Sequence, residues 1–227
     1  MGSEVRSLFV TGTDTGVGKT LISAALLHTL AQRHARVVGM KPVAAGLVHD
    51  GTAWVNDDVL ALRAASTVRV PAELDNPVAL PEPLSPHLAA ALAGRRVQVA
   101  KLLTAYRALL GHADVVLVEG AGGWRVPLND SETLADLAIA MAAPVVLVVG
   151  LRLGCLNHAL LTCEAIAADG LKLAGWVANC VDPTMQCRDE NVATLRQRLP
   201  APLLGVVPWL AAPDARNLVV NLPEGWV

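Results

Sequence analysis

The chain has 227 residues, of which 53% are hydrophobic, 17% charged and 3% aromatic, and its formal charge is −2. That length fits one domain of ordinary α/β size with a substantial core. With no basic block and few aromatic rings for stacking, nucleic acid is not expected as the main partner.

At the amino end, "MGSEVRS" lacks a leader peptide's apolar core. Arg6 stands where a myristoylation signal takes Ser or Thr. The longest apolar runs, Pro144–Gly150 and Val115–Val118, fall well short of the ~20 residues that span a bilayer. A soluble, cytoplasmic protein with no membrane partner is expected. A strand is predicted over Ser7–Thr11, then "GTDTGVGKT", then an Ala/Leu-rich helix over Lys19–Gln32. Strand, glycine loop and helix in that order suit a phosphate cradle. Gly12, Gly16 and Gly18 let backbone N–H groups approach phosphate oxygens. The helix start adds its positive dipole end. Lys19 would neutralise the β- and γ-phosphates, and the Thr20 hydroxyl would ligate Mg²⁺. Relative to G-x-x-x-x-G-K-[ST] the first glycine is one position early, because Gly12 and Gly18 enclose five residues.

The second strand is predicted over Val37–Lys41. Lys41, just before Pro42, is either a surface lysine or a second cation in the same pocket. "NDDVL" opens a helix over Asp57–Ala65. Capping explains one of Asp57 and Asp58; the sharper reading makes Asp58 a metal carboxylate. Between Pro71 and Pro86 stand five prolines, which exclude helix interior and central strand. A long ordered loop or lid is expected there. Helices follow over Pro86–Ala93 and Val97–Leu110, and a strand over Asp114–Val118. The next residue, Glu119, suits a hard cation, and a buried carboxylate without one would be costly. Gly120, Gly122 and Gly123 would let backbone approach a ligand.

A helix is predicted over Leu134–Ala142 and a strand over Val145–Val149. In "LGCLNHALLT", Gly154, Cys155, Leu156 and Asn157 would present free N–H groups at a helix start, suited to a carboxylate. The alternative is ordinary capping by Asn157. Cys155 is a poor candidate nucleophile, since helical geometry directs His158 elsewhere. This helix is predicted over Asn157–Ala168. A strand over Leu173–Ala178 precedes Asn179, whose amide could read a purine edge. A helix over Arg188–Leu199 and a strand over Leu203–Val207 complete the pattern. Cys155, Cys163, Cys180 and Cys187 make no C-x-x-C and no metal-type spacing with histidine, so reduced thiols are expected.

This alternation predicts an α/β fold of P-loop NTPase type over residues 1–227, one domain with a mostly parallel sheet and helices on both faces. Polar, Gly and Pro residues concentrate just after the strands, where open α/β sheets bind ligands. One composite site is therefore expected at the carboxyl edge.

"VTGTDTGVGKT", "KPVAAG", "PLSPH", "VLVEGAGGW", "LGCLNHALLT", "GWVAN" and "LLGVVPWL", in that order, resemble the dethiobiotin synthetases. The resemblance implies a homodimeric ligase of biotin biosynthesis that uses ATP and Mg²⁺. It joins CO₂ to 7,8-diaminononanoate and closes a cyclic urea. It implies nucleotide contacts at Gly16, Val17, Gly18, Lys19, Thr20 and Leu21, and at Glu119, Gly120, Ala121 and Gly122. Asn179, Cys180, Pro208, Trp209 and Leu210 would form the adenine pocket. Thr20, Asp58 and Glu119 are the implied metal set, and Lys19 and Lys41 the implied catalytic lysines. Thr15 and Ala45 would face the substrate. Gly154, Cys155, Leu156 and Asn157 would hold its carboxylate across the subunit interface. Relatives often have serine at position 45, so here a backbone N–H of Ala45 or Gly46 is the expected substitute.

Two rivals are weighed against this. A partition- or septum-positioning ATPase carries a second lysine early in the loop, where this chain has Asp14, and the closing "LPEGWV" is no membrane-targeting tail. An amidotransferase-type cobyrinate synthase needs a glutaminase domain that this length does not accommodate.

Overall fold

The computed structural model describes residues 7–222. The first six and last five residues, on which the leader, acylation and tail readings rest, lie outside the described part. Among the described residues ten strands and eight α-helices follow one another as β1 Ser7–Gly12, α1 Lys19–Ala31, β2 Val37–Met40, β3 Val43–Ala45, β4 Val48–His49, β5 Trp54–Val55, α2 Asp57–Ala65, α3 Ala72–Asp75, β6 Val78–Leu80, α4 Pro86–Leu92, α5 Val99–Leu109, β7 Val115–Glu119, α6 Leu134–Met141, β8 Val145–Leu151, α7 Cys155–Ala168, β9 Leu173–Cys180, α8 Arg188–Arg198 and β10 Leu203–Val207.

Six strands form one sheet in the order β10-β9-β8-β1-β7-β2, and every pairing in it is parallel. The central strands are apolar throughout because both faces are covered. Side chains alternate between the faces along each strand. Leu8 and Val10 join the core formed with α1, α2 and the C-terminal segment. Phe9 joins the opposite core, built on α5, α6, α7 and α8. With β4 and β5 pairing antiparallel in a small sheet of their own, this mostly parallel architecture meets the expected fold class. Among the described residues no helix is long and apolar enough to cross a membrane, and all four cysteines are free thiols.

Several boundaries differ from the sequence expectation. The second strand stops at Met40, not at Lys41, because the Lys41 N–H leaves the sheet to donate to the Asp75 carbonyl at 2.8 Å. β7 runs one residue further than expected and takes in Glu119. Asp114, expected inside that strand, instead receives the Arg36 guanidinium. α7 begins at Cys155, with Gly154 at φ 96° before it, so Asn157 lies inside the first turn and does not cap. The Pro71–Pro86 segment is more structured than a loop. It holds α3 and β6, and β6 pairs with β3 in a separate two-stranded sheet. A two-stranded sheet has only edges, where proline is tolerated.

Candidate functional site

The phosphate loop is built where β1 gives way to α1. Gly18 precedes the helix at φ 86°, a left-handed conformation that side chains oppose. A Cβ there would meet Asn179 Nδ2 at 2.1 Å, so the position demands glycine twice over. Asn179 is itself buried, and its amide donates to the Val17 carbonyl at 2.9 Å. The side chain expected to read a purine thus braces the loop from below. Val17 is buried in the core and offers the loop its backbone. Asp14 accepts the Thr15 N–H at 2.7 Å and pairs with Arg152.

Lys19, Lys41, Thr20, Asp58 and Glu119 converge. Lys41 is almost wholly buried, and its ammonium donates to Asp58 Oδ2 and Glu119 Oε1, each at 2.6 Å, and to the Gly120 carbonyl at 3.3 Å. All three of its donors are therefore placed. Burial works against the Lys41 charge, but Glu119 and Asp58 outweigh it and raise the pKa above the ordinary lysine value. Burial also opposes the Asp58 charge. Lys41, Thr20 and Lys19 outweigh that and hold the Asp58 carboxyl below its ordinary value. Lys19 goes the other way. Burial, reinforced by the positive charge of Lys41, lowers it to about 8 despite the nearby carboxylates. Its ammonium rests on the Asp14 carbonyl at 3.0 Å.

The Thr20 hydroxyl lies 2.6 Å from Asp58 Oδ1 and 2.9 Å from Glu119 Oε1, and its one proton serves one of them at a time. Glu119 is fully buried, and among the described residues its Oε2 has no hydrogen-bond partner. A buried anionic oxygen left unmatched, beside a hydroxyl and a second carboxylate, fits a hard divalent cation. Among the described residues no group of three or more His, Cys, Asp and Glu side chains forms a protein-only metal cage.

Lys19, Thr20, Lys41 and Asp58 open onto a cavity of about 810 Å³ lined also by Thr15, Gly16, Gly18, Ala45, Ala121 and Gly122, while Glu119 is buried and does not line it. Pro83, Leu84, Ser85 and Pro86 close another side, with Val43 and Val126 between. The last two were not anticipated from the sequence, since nothing local marks an apolar wall residue. Gly46 N–H cannot stand in for a hydroxyl at position 45, because it already donates to the Leu80 and Glu82 carbonyls. The Ala45 carbonyl accepts from Asn56 Nδ2, and the same Asn56 caps α2 through its Oδ1. One side chain therefore ties the Ala45 strand to the helix that carries Asp58.

Other expected site residues lie apart from this cavity. Leu21 lines a second cavity of about 740 Å³ between α1, α2 and Ala212–Arg216. Pro208 and Leu210 line a third of about 370 Å³. Trp209 is half exposed, and its backbone N–H reaches the buried Cys180. Gly154 and Asn157 are exposed beside Leu153, which is 97% exposed, while Cys155 is buried and Leu156 half-buried. None of the four lines the main cavity.

A family model described as an AAA domain matches residues 6–216. The chain is 50% identical over 220 residues to the ATP-dependent dethiobiotin synthetase BioD of Aromatoleum aromaticum, spanning 97% of this chain and 98% of that one. It is 55% identical over 208 residues to the BioD of Ralstonia nicotianae, spanning 92% and 91%. Among solved structures it is similar to the MinC:MinD cell division complex of Aquifex aeolicus, with TM-score 0.56 and 17% identity over 91% of this chain and 83% of that one. A ParA family ATPase of Chlorobium tepidum gives TM-score 0.54 and 11% identity, over 91% and 85%. At such low identity these two share the fold and no more. Identity at half or more of the aligned positions, sustained along nearly the whole length, shows that the chain belongs to the family of ATP-dependent dethiobiotin synthetases.

Proposed function

We propose that the chain carboxylates 7,8-diaminononanoate with CO₂ and closes the product to dethiobiotin, converting ATP to ADP and phosphate. The observation that carries this reading is one cavity lined by a phosphate loop, two buried lysines and Asp58, with Glu119 bonded to Lys41 and Thr20 behind it and room for a second reactant under Pro83–Pro86. In such a site the phosphoryl group has somewhere to go other than water.

Residues Gly16 to Thr20 cradle the triphosphate. Thr20, Asp58 and Glu119 would hold Mg²⁺, which when bound would supply positive charge against the phosphates. The diamine lies along Thr15 and Ala45. One of its amines adds CO₂, forming an N–C bond and losing a proton to give a carbamate. A carbamate oxygen then bonds to the γ-phosphorus as the bond to the β-bridging oxygen breaks and ADP leaves. Lys19 and Lys41 stabilise charge on the transferring group. The second amine attacks the carbamoyl carbon, the C–O bond breaks, phosphate leaves and the cyclic urea remains. Lys41 enters this sequence fully charged, because its raised pKa keeps the proton.

The adenine would lie by Asn179, Cys180 and Pro208–Leu210. Gly154, Cys155, Leu156 and Asn157 would serve the carboxylate of the substrate in a second copy, in a homodimer. The exposure of Gly154 and Asn157 away from the chain's own cavity supports that arrangement. Purified protein with ATP, Mg²⁺, bicarbonate and the diamine is expected to form dethiobiotin and ADP in equal amounts. Diamine-independent ATP hydrolysis at the same rate, with no cyclic urea, would favour a switch-type ATPase instead.

The depressed Lys19 yields a further expectation. An anionic triphosphate beside it raises its pKa from about 8. The bound state then holds the extra proton, so ATP binding takes up protons at pH 9 and affinity falls as pH rises through 8. Calorimetry in two buffers of different ionisation enthalpy measures this; proton release would contradict it.

A further inference from the structure

Lys41 is held at both ends, and only its ammonium end belongs to the site described above. Its backbone has just left β2, and Pro42 after it restricts Lys41 to extended conformations. The two hydrogen-bonding groups freed from the sheet are both taken up at the end of α3, by its last residue Asp75 and by Asn76 after it. The Lys41 N–H donates to the Asp75 carbonyl at 2.8 Å. The Lys41 carbonyl accepts from Asn76 Nδ2 at 2.7 Å, and the same amide group reaches the Val78 carbonyl at 3.3 Å.

The segment that grips Lys41 is itself gripped. The Asp75 carboxylate is buried and receives the Arg63 guanidinium in a two-pronged contact, Nε at 2.7 Å and an Nη at 2.6 Å. Such forks fix orientation as well as distance. Arg63 lies on α2, the helix that begins with Asp57 and Asp58, and Asp58 binds the Lys41 ammonium. The structure thus closes a ring from the Lys41 ammonium to Asp58, along α2 to Arg63, across to Asp75 and Asn76, and back to the Lys41 backbone.

We propose that Asn76, seated by the Arg63–Asp75 fork, is a positioning residue that sets where the Lys41 ammonium stands in the cavity. It touches no reactant and acts through Lys41 alone. This inference rests on the catalytic role proposed for Lys41. A misplacement of about 1 Å at a reacting centre can lower a rate by about 10²-fold, and loss of one backbone tether relaxes Lys41 by a part of that.

A double-mutant cycle tests it. Asn76→Ala is expected to lower kcat about 10–50-fold, with the KM for ATP within about twofold. Asn76→Asp, of equal size but without the N–H donor, is expected to be at least as impaired. In a Lys41→Ala background, Asn76→Ala is expected to cause no further loss, because the group it positions is gone. An equal loss in both backgrounds, or wild-type kcat in Asn76→Asp, overturns the proposal. Should Asn76→Ala fail to fold, Arg63→Gln combined with Asp75→Asn, which removes both charges of the fork and leaves none buried unpaired, replaces it in the same cycle. Near-wild-type turnover in Lys41→Ala alone would remove the role of Lys41, a separate result from additivity in the cycle.

Discussion

Lys41→Ala is expected to lower kcat by about 10²–10³-fold, the range for losing one preorganised donor to a developing charge. Nucleotide affinity should change far less, because the phosphate loop and Lys19 remain. The substitution also leaves Glu119, fully buried, without the cation that donates to its Oε1. Removing one partner of a buried ion pair typically destabilises by about 3–5 kcal/mol. Mg²⁺ bound at the same carboxylates would supply the missing positive charge. The melting temperature of Lys41→Ala should therefore rise more on adding Mg²⁺ and ATP than that of the parent. Lys41→Met, which keeps the length of the side chain, separates lost charge from lost packing. A variant with near-parental turnover would remove Lys41 from the mechanism.

Gly18→Ala carries the second large effect. The left-handed backbone alone opposes alanine by about 1–2 kcal/mol. The added methyl also falls 2.1 Å from Asn179 Nδ2, and that amide is held by the Val17 carbonyl. The loop must distort, and its N–H groups lose their common aim. ATP affinity is expected to fall by roughly 10²-fold or more, about 2.7 kcal/mol at least, as read by calorimetry with a non-hydrolysable analogue. Gly18→Ala with Asn179→Ala relieves the clash and leaves the backbone strain, so part of the affinity should return. No recovery at all would show that Asn179 does not crowd this position.

What the sequence made legible was local. The strand, glycine loop and helix around Lys19 follow one another within a few residues, and each step has its own composition. Glu119 ends an apolar strand and Lys41 follows another, so both could be placed at the sheet's carboxyl edge before any contact was known. What was not legible depends on contacts between distant segments. Five prolines said that Pro71–Pro86 could not be helix interior or central strand, and they were right about the main sheet. They said nothing of β6 finding β3, nor of Asn76 reaching the Lys41 carbonyl, 35 positions away in sequence. An amide donating to a backbone carbonyl leaves no periodic trace. The same holds for Asn56, which joins Ala45 to α2, and for Gly46, whose N–H was expected free and is already engaged. The helix start at Cys155 was misplaced by two residues because Asn157 looked like a cap. Gly154, left-handed, ends the preceding turn instead.

The central claim is that this site hands the γ-phosphoryl group to an oxygen that came from CO₂, and keeps it from water. Tracing the oxygens tests it most directly. With ¹⁸O-labelled bicarbonate, ATP, Mg²⁺ and the diamine, sampled before the label exchanges with solvent, each phosphate released should carry one labelled oxygen. Phosphate whose new oxygen comes from solvent water, in labelled-water controls, would contradict the account.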